Sequence, residues 1–225
     1  MAPTDDTKVR IKILDATFNI IQVELKPPVL LANANVLAMK RKAQYPTTHT
    51  QIKNFTASSG TQQISINNSF PGPVPDRILI DLVKNAGVVV AASTNPFYFH
   101  HYDTTNLVLY VNGVQHPSAP LTMDCSLPYG VTRAHKTLFS STDIYHDDRA
   151  HMITVETFTK GVYILGFDLT PDREADEKHI SLTRKRNVRI EAMFKKPLPE
   201  PLPCILYAEF PGHIKIDHCR NIRVE

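Results

Sequence analysis

The most constraining feature of this sequence is Val188–Phe194, a stretch in which apolar and polar side chains alternate strictly. Successive side chains of a β-strand point to opposite faces, so the alternation predicts a strand with Ile190 in the core and Arg189 facing outward. Directly after this stretch, every second residue is a proline: Pro197, Pro199, Pro201 and Pro203. Because proline removes a backbone donor, this run predicts an extended connection between two strands.

Short β-strands are predicted along most of the chain. Further strands are expected at Ile64–Ile66, Arg77–Val83, Leu107–Val111, Val162–Leu169, Pro203–Phe210, His213–Ile216 and Asn221–Val224. Asn112-Gly113 predicts a two-residue hairpin turn after the Leu107–Val111 strand, because both turn positions need a positive φ. Helices are expected to be few and short, at Val29–Lys42, Tyr129–Phe139 and Thr154–Lys160.

The amino-terminal region combines strand-like alternation with two changes of parity. Lys8–Ile13 predicts a half-buried strand with a basic outer face. The apolar positions then change parity near Leu14 and again near Ile20. One strand cannot keep one buried face through two such slips, so a bulge, corner or turn is expected at each.

Many short strands, proline-rich crossings and few helices predict an all-β fold, a jelly-roll or Greek-key β-sandwich with a few short helices in the connections. The 225 residues can bury a substantial core, and no shift in composition marks a boundary. We therefore expect a single domain over residues 8–225, preceded by a short unstructured lead-in at 1–7.

Composition argues against several classes of protein. The formal net charge is +3, too small to indicate a specific nucleic-acid site. The longest apolar run, Val88–Ala92, is too short for a membrane-spanning helix, and no secretory leader is visible at the amino terminus. The three cysteines include no CxxC pair, which favours free thiols in a reducing compartment.

Two histidine clusters are the candidates for metal binding or acid–base chemistry. In the first, His100-His101-Tyr102-Asp103, a strand would allow only His101 and Asp103 to converge. In the second, residues 146–151, a helix would place Asp147 and His151 on one face beside His146. Both clusters are also typical of polar loops, and a metal site needs three or four converging ligands. We therefore assign no metal, cofactor or catalytic residue.

Two other groups of residues also fit structural roles. Basic clusters occur at Lys40–Lys42, Arg184–Arg186 and Lys195-Lys196, and acids such as Asp172 to Glu177 upstream of the second one favour solvated turns over phosphate contacts. Cys204 opens an apolar strand and is expected in the core. Jelly rolls include the cupin enzymes, whose metal sites are usually marked by an HxH pair, and this chain contains no HxH.

Several longer segments carry a family resemblance: NPFYFHHYDTTNLVLYVNGVQ (95–115), TDIYHDDRAHMIT (142–154), FTKGVYILGFDLTPD (158–172) and FKKPLPEPLPCILYAEFPGHIKID (194–217). In order and spacing they resemble the carboxy-terminal half of the double jelly-roll major capsid protein of Polinton (Maverick) elements and adintoviruses. KVRIKILDATF (8–18) resembles the start of the same half, so the resemblance covers nearly the whole chain.

The resemblance implies a structural role without catalytic residues. In the family, double jelly rolls form trimeric, pseudo-hexameric capsomers, which implies that this chain self-associates, binds an upstream jelly-roll domain and contacts other capsid proteins, without a membrane or a specific nucleic-acid site. The expected location is the virion, or otherwise the cell interior without secretion. The amino-terminal jelly roll is absent from these 225 residues, so a fragment or a host-recruited chain is also expected to look like this.

Two other functions remain as alternatives. One is a domesticated host binding module on the same sandwich, and the other, less favoured, is a cupin-like metal enzyme. The segments expected at assembly surfaces are Gly87–Ala92 and the aromatic stretch Phe97-Tyr98-Phe99, and the alternative is that both belong to the core, where large apolar residues usually lie.

Overall fold

The computed structural model describes residues 12–88, 95–142, 144, 151–171, 175 and 187–224. It contains strands β1 to β9 at Ala43–Ala57, Gln63–Ile66, Arg77–Leu82, Thr104–Val111, Val114–Thr122, Ile164–Asp168, Val188–Phe194, Leu202–Ile216 and Ile222–Val224. Helices α1 to α4 lie at Pro27–Ala38, Asn85–Val88, Thr132–Ser141 and Val155–Thr159.

The chain forms two compact units, Thr48–Pro211 and Met1–Thr47 with Gly212–Glu225. The larger unit contains strands β2 to β7. The smaller unit contains α1 and the pairing of β9 with the end of β8, in which Ile214 lies opposite Val224. The single domain expected over 8–225 remains a prediction.

The order of the strands identifies the fold as a jelly roll. One sheet has the order β1-β8-β3-β6, with β9 added to β8, and the other has the order β2-β7-β4-β5. Strand β1 therefore lies beside β8, β2 beside β7, β3 beside β6, and β4 beside β5. This pairing is that of a long antiparallel ribbon folded over into two sheets. The pairs β2·β7, β3·β6 and β4·β5 are antiparallel. The predicted fold class is confirmed.

The core lies between the inner faces of the two sheets. Strand β7 supplies Val188, Ile190, Ala192 and Phe194 to it, while Arg189, Glu191 and Met193 point away. The face predicted from the alternation is thus the buried face, and Ile190 is only 2% exposed. Apolar residues of β3, β4 and β8 complete the core, among them Ile78, Leu109 and Leu206.

The predicted hairpin and helices are present with shifted ends. Asn112 and Gly113 adopt φ values of 53° and 79°, so both turn residues have the positive φ that the turn requires. Helix α1 begins at Pro27 and ends at Ala38, four residues before the predicted end, because Lys40 adopts a left-handed φ of 56°. Helices α3 and α4 also lie where the sequence predicts them.

Helix α3 packs on β6 through a close approach at Gly166. A Cβ atom at this position would overlap Ser141 Oγ and lie 2.9 Å from Ser141 Cβ and 3.2 Å from Leu79 Cδ2. Separations this short are repulsive, so only glycine lets the end of α3 reach the strand. Ser141 is itself buried, as are Ala134 and Leu138 on the same helix.

Strands β1 and β8 differ from the strand predictions. Strand β1 has no counterpart in the predictions, because its threonines and other polar residues show no apolar alternation. Pro203–Phe210 and His213–Ile216 form one strand, β8, through Pro211. The register of β8 with β3 ends at Glu209, so the missing N–H of Pro211 costs no hydrogen bond to β3.

The amino-terminal strand was predicted at Lys8–Ile13. Residues 8–11 lie outside the described part of the chain, and Lys12 and Ile13 are exposed without strand structure. Residues 12–26 form neither strand nor helix, so the expected corners at Leu14 and Ile20 are part of an irregular exposed stretch. Alternation stabilises a strand only where neighbouring strands and a core cover one face.

Candidate assembly surface

The first histidine cluster lies in a tight turn and not on a strand. Tyr102 and Asp103 both have left-handed φ values, 45° and 51°. This turn brings His101 Nδ1 to 3.5 Å from Asp103 Oδ1, and the Asp103 N–H donates to the same nitrogen at 2.9 Å. The two residues expected to converge therefore do so, while His100 packs against the rings of Tyr98 and Tyr102.

The surroundings of this turn indicate a structural polar network. Burial lowers the pKa of His101, although Asp103 opposes the shift, so the imidazole is neutral at pH 7. Lys196 Nζ lies 3.7 Å from Asp103 Oδ2, and Lys195 Nζ lies 3.8 Å from Asp124 Oδ1. Each of these two lysines therefore lies close to an acidic side chain that is distant from it in the sequence.

The second histidine cluster is described only at His151, since residues 145–150 lie outside the described part of the chain. The His151 ring stacks on Phe139 with centroids 3.6 Å apart, and the His135 ring lies 6.1 Å away. His135 Nε2 is hydrogen-bonded to the Ile153 carbonyl oxygen at 2.8 Å. Burial, with a further contribution from His135, lowers the pKa of His151. These contacts anchor residues 151–153 against α3.

No group of three His, Cys, Asp or Glu side chains converges to hold a metal within residues 12–88, 95–142, 151–171 and 187–224. The three thiols are free: Cys204 is buried, Cys125 is half-buried and Cys219 is exposed. Burial raises the pKa of Cys204 to about 12 and that of Cys125 to about 11. Both thiols are therefore protonated at neutral pH, whereas a reactive cysteine is a thiolate.

A cavity of about 20 Å³ lies between the two sheets. Most of its lining is aliphatic, including Ile66, Leu107 and Ile190, with Asp81, Thr104 and Cys204 among the polar members. This volume accommodates about one water molecule. It is a packing defect of the core and is too small for an organic substrate.

Many large apolar side chains are exposed in residues 13–39, which we call the apolar segment. Twelve large hydrophobic side chains in it are exposed by 38–91%: Ile13, Leu14, Phe18, Ile20, Ile21, Val23, Leu25, Val29, Leu30, Leu31, Val36 and Met39. Helix α1, which ends this segment, has no buried residue. Many exposed large apolar side chains close together in the sequence are typical of a segment that contacts another surface.

Smaller exposed groups lie on the larger unit. Phe97 and Tyr98 are 75% and 41% exposed, which places part of the predicted aromatic stretch at the surface. The Tyr98 ring covers Gly161, where a Cβ atom would lie 2.7 Å from Tyr98 Cδ2. In the other predicted stretch, Gly87 is buried and residues 89–92 lie outside the described part of the chain.

The apolar segment was missed as a surface, because its alternation predicted half-buried strands. One sequence signal could have revealed it: residues 27–39 contain no charged side chain. A mainly apolar helix without charged side chains is typical of a packed environment. In the described residues, no helix is long and apolar enough to cross a bilayer.

Comparison with known proteins gives one curated relative and several structural neighbours. No protein-family model matches the chain. An uncharacterized protein of Caenorhabditis elegans is 28% identical over 183 residues, which are 79% of this chain and 43% of that protein. The chain therefore spans less than half the length of the curated relative that it matches.

Several solved structures of viral proteins are similar to this chain. A chain of the cryo-electron microscopy structure of the Sputnik virophage has a TM-score of 0.44 and 12% identity, covering 82% of this chain and 37% of that one. A chain of the PBCV-1 virus capsid model has a TM-score of 0.43 and 10% identity, and the match covers 78% of this chain and 50% of that one. The crystal structure of mavirus major capsid protein has a TM-score of 0.40 and 7% identity, and the match covers 82% of this chain and 41% of that one.

Proposed function

We propose that this chain is a capsid structural protein, the carboxy-terminal jelly roll of a double jelly-roll major capsid protein from a Polinton (Maverick) element or an adintovirus. The observation that carries the proposal is the jelly-roll strand order, combined with the exposed apolar segment at residues 13–39. A capsid subunit needs a rigid sandwich and apolar surfaces for neighbouring domains, and both features are present in this chain.

The segments that carry the sequence resemblance occupy both sheets. Residues 95–115 include β4 and its hairpin turn, residues 158–172 include β6, and residues 194–217 include β8. The segments that resemble the family therefore include strands of both sheets of the jelly roll, in the order of the chain. The resemblance concerns the scaffold, and the chain has a structural role with no catalytic residue.

The proposal defines the partners and location of the protein. Its neighbours are other copies of this chain, an upstream jelly-roll domain and further capsid proteins, in trimers of pseudo-hexameric shape. The protein is then a component of a virion. The stretch Phe97-Tyr98 and the apolar segment are the surfaces for these contacts.

Sequencing full-length transcripts tests this origin against the binding-module alternative. We expect transcripts in which an intact jelly-roll reading frame lies upstream of, and in frame with, residues 1–225. Transcripts that begin at Met1 and are made without neighbouring viral genes would contradict the capsid proposal and favour a host-recruited binding module.

A further inference from the structure

The contact that holds residues 151–153 on helix α3 uses one nitrogen of His151 as a hydrogen-bond acceptor. The Ile153 N–H donates to His151 Nδ1 at 3.2 Å, so this nitrogen carries no proton. The proton of the neutral ring is therefore on Nε2, which is buried and has no hydrogen-bond partner in the described residues. The contact thus selects one neutral tautomer of the imidazole.

A second histidine, His135 of α3, binds the same segment. Its Nε2 atom lies 2.8 Å from the Ile153 carbonyl oxygen, which can only accept, so this nitrogen donates. The His135 ring lies edge-on to the His151 ring, with centroids 6.1 Å apart and an interplanar angle of 89°. Phe139 of α3 covers one face of His151. The backbone of Ile153 is therefore bonded through its N–H to one histidine and through its carbonyl oxygen to the other.

A second proton on His151 would remove this contact. An imidazolium is a donor at both nitrogens, so Nδ1 would direct a proton at the Ile153 N–H in place of a lone pair. The buried Nε2–H would carry part of the new charge and still have no acceptor among the described residues. Burial, with a further contribution from His135, lowers the pKa of His151. The docked segment therefore favours the neutral ring.

Other charged groups of α3 and α4 do not reverse this preference. On α3, Arg133 donates to backbone carbonyl oxygens of β5, and Lys136 has the same charge as an imidazolium. On α4, Glu156 forms an ion pair with Lys160. The face of the Phe139 ring attracts a cation, but a neutral imidazole stacks on it as well. The ionisable residues that precede His151 in the sequence lie outside the described part of the chain: His146, Asp147, Asp148 and Arg149.

We propose that His151 and His135 form a pH-sensitive latch, which holds residues 151–153 on helix α3 at neutral pH and releases them on acidification. The release is local, because the segment leads directly into α4. The Thr154 side chain caps that helix, and Phe158 within it is fully buried. The latch requires no capsid role and goes beyond the proposed function.

The sign of the effect follows from the direction of the pKa shift. A released His151 has the ordinary pKa of 6.5, and the docked ring has a lower one. Well above pH 6.5 both rings are neutral, so the latch is fully formed. As the pH falls through 6.5, the released ring takes up a proton before the docked ring does, and docking loses free energy.

Hydrogen exchange of the Ile153 amide tests the latch. Its protection factor is the exchange rate of an unfolded chain divided by the measured rate at the same pH. We expect this factor to fall by at least about fivefold from pH 7.5 to pH 5, since one net hydrogen bond is worth about a factor of five in an opening equilibrium. The amide of Leu138, a buried residue of α3, should keep its protection. An equal loss at Leu138, or no loss at Ile153, would overturn the inference.

Two variants test the two rings separately. His151→Phe keeps an aromatic ring beside Phe139 and cannot titrate, so the Ile153 protection factor should be equal at pH 7.5 and pH 5. His135→Gln keeps a side-chain N–H for the Ile153 carbonyl oxygen and removes the neighbouring imidazole. The pH at which NMR shows His151 half-protonated should therefore rise toward 6.5 in this variant.

The matched control is His49→Phe. His49 is an exposed imidazole of the larger unit that stacks on the ring of Phe210, with centroids 5.2 Å apart. This variant should keep the wild-type pH dependence at Ile153. A pH dependence that persists in His151→Phe would overturn the inference, as would a wild-type His151 that is half-protonated at pH 6.5 or above. The NMR titration needs only the wild type, so it decides the question even where a variant fails to fold.

Discussion

Asp81→Asn is expected to stabilise the protein by roughly 2–4 kcal/mol at pH 8 and to have almost no effect at pH 4. Asp81 lies in β3 between Ile80 and Leu82, opposite Ile205 on one side and Ile164 on the other. Its Oδ1 atom is buried and has no hydrogen-bond partner in the described residues. Burial raises the pKa of Asp81 from 3.8 to about 7.

The sign of the effect follows from the direction of this shift. Well below pH 4 the carboxyl is protonated in both the folded and the unfolded chain, so burial carries no ionic penalty, and at pH 4 the penalty is still small. As the pH rises from about 4 to about 7, the unfolded chain loses this proton first, and the folded state loses stability relative to it. Above pH 7 the full penalty remains, and asparagine removes it.

Chemical denaturation at pH 4, 6 and 8 measures the difference in unfolding free energy between the wild type and the Asp81→Asn variant. Ser118→Ala, on an exposed side chain that does not titrate, is the control and should leave the difference in unfolding free energy unchanged between pH 4 and pH 8. An Asp81→Asn variant whose stability relative to the wild type is the same at pH 4 and pH 8 would contradict a buried, ionising Asp81.

Ile190→Ala is expected to cost about 2–5 kcal/mol of unfolding free energy. Ile190 is 2% exposed, pairs with Ile66 and Leu109 on the neighbouring strands, and lines the cavity between the sheets. Removing its outer carbons enlarges a void that already exists, and the surrounding side chains can fill it only in part.

Arg189→Ala is the matched control, since it changes the adjacent residue of the same strand. The Arg189 guanidinium lies 4.4 Å from the centroid of the Tyr110 ring and 3.3 Å from Glu191 Oε1, with 44% of the side chain exposed. These surface contacts raise the expected cost from less than about 0.5 kcal/mol, as the sequence alone suggests, to about 0.5–1 kcal/mol. Equal costs for the two variants in urea denaturation would mean that the register of β7 is wrong.

The sequence predicted those parts of the fold in which local pattern and tertiary environment agree. Strand β7 alternates because it is covered on one face only, and the Asn112-Gly113 turn needs two residues with positive φ, so both were predictable. Strand β1 was missed because most of its side chains are exposed and its polar residues carry no periodic signal.

The candidate surface was less predictable than the fold. The convergence of His101 with Asp103 was expected, but from strand geometry, whereas a left-handed turn produces it. The apolar segment has the alternation of a buried strand and is exposed in this chain. Whether apolar residues are covered depends on partners as well as on local sequence, so periodicity alone could not predict this exposure.

The most direct test of the capsid proposal is the mass of the complex formed when this chain is co-expressed with the amino-terminal jelly roll of a Polinton-type element. Native mass spectrometry counts the copies of each component. We expect three copies of the 25.3 kDa chain with three copies of the other domain, the composition of a pseudo-hexameric capsomer. A 25.3 kDa monomer that binds no jelly-roll partner at any concentration would contradict the proposal.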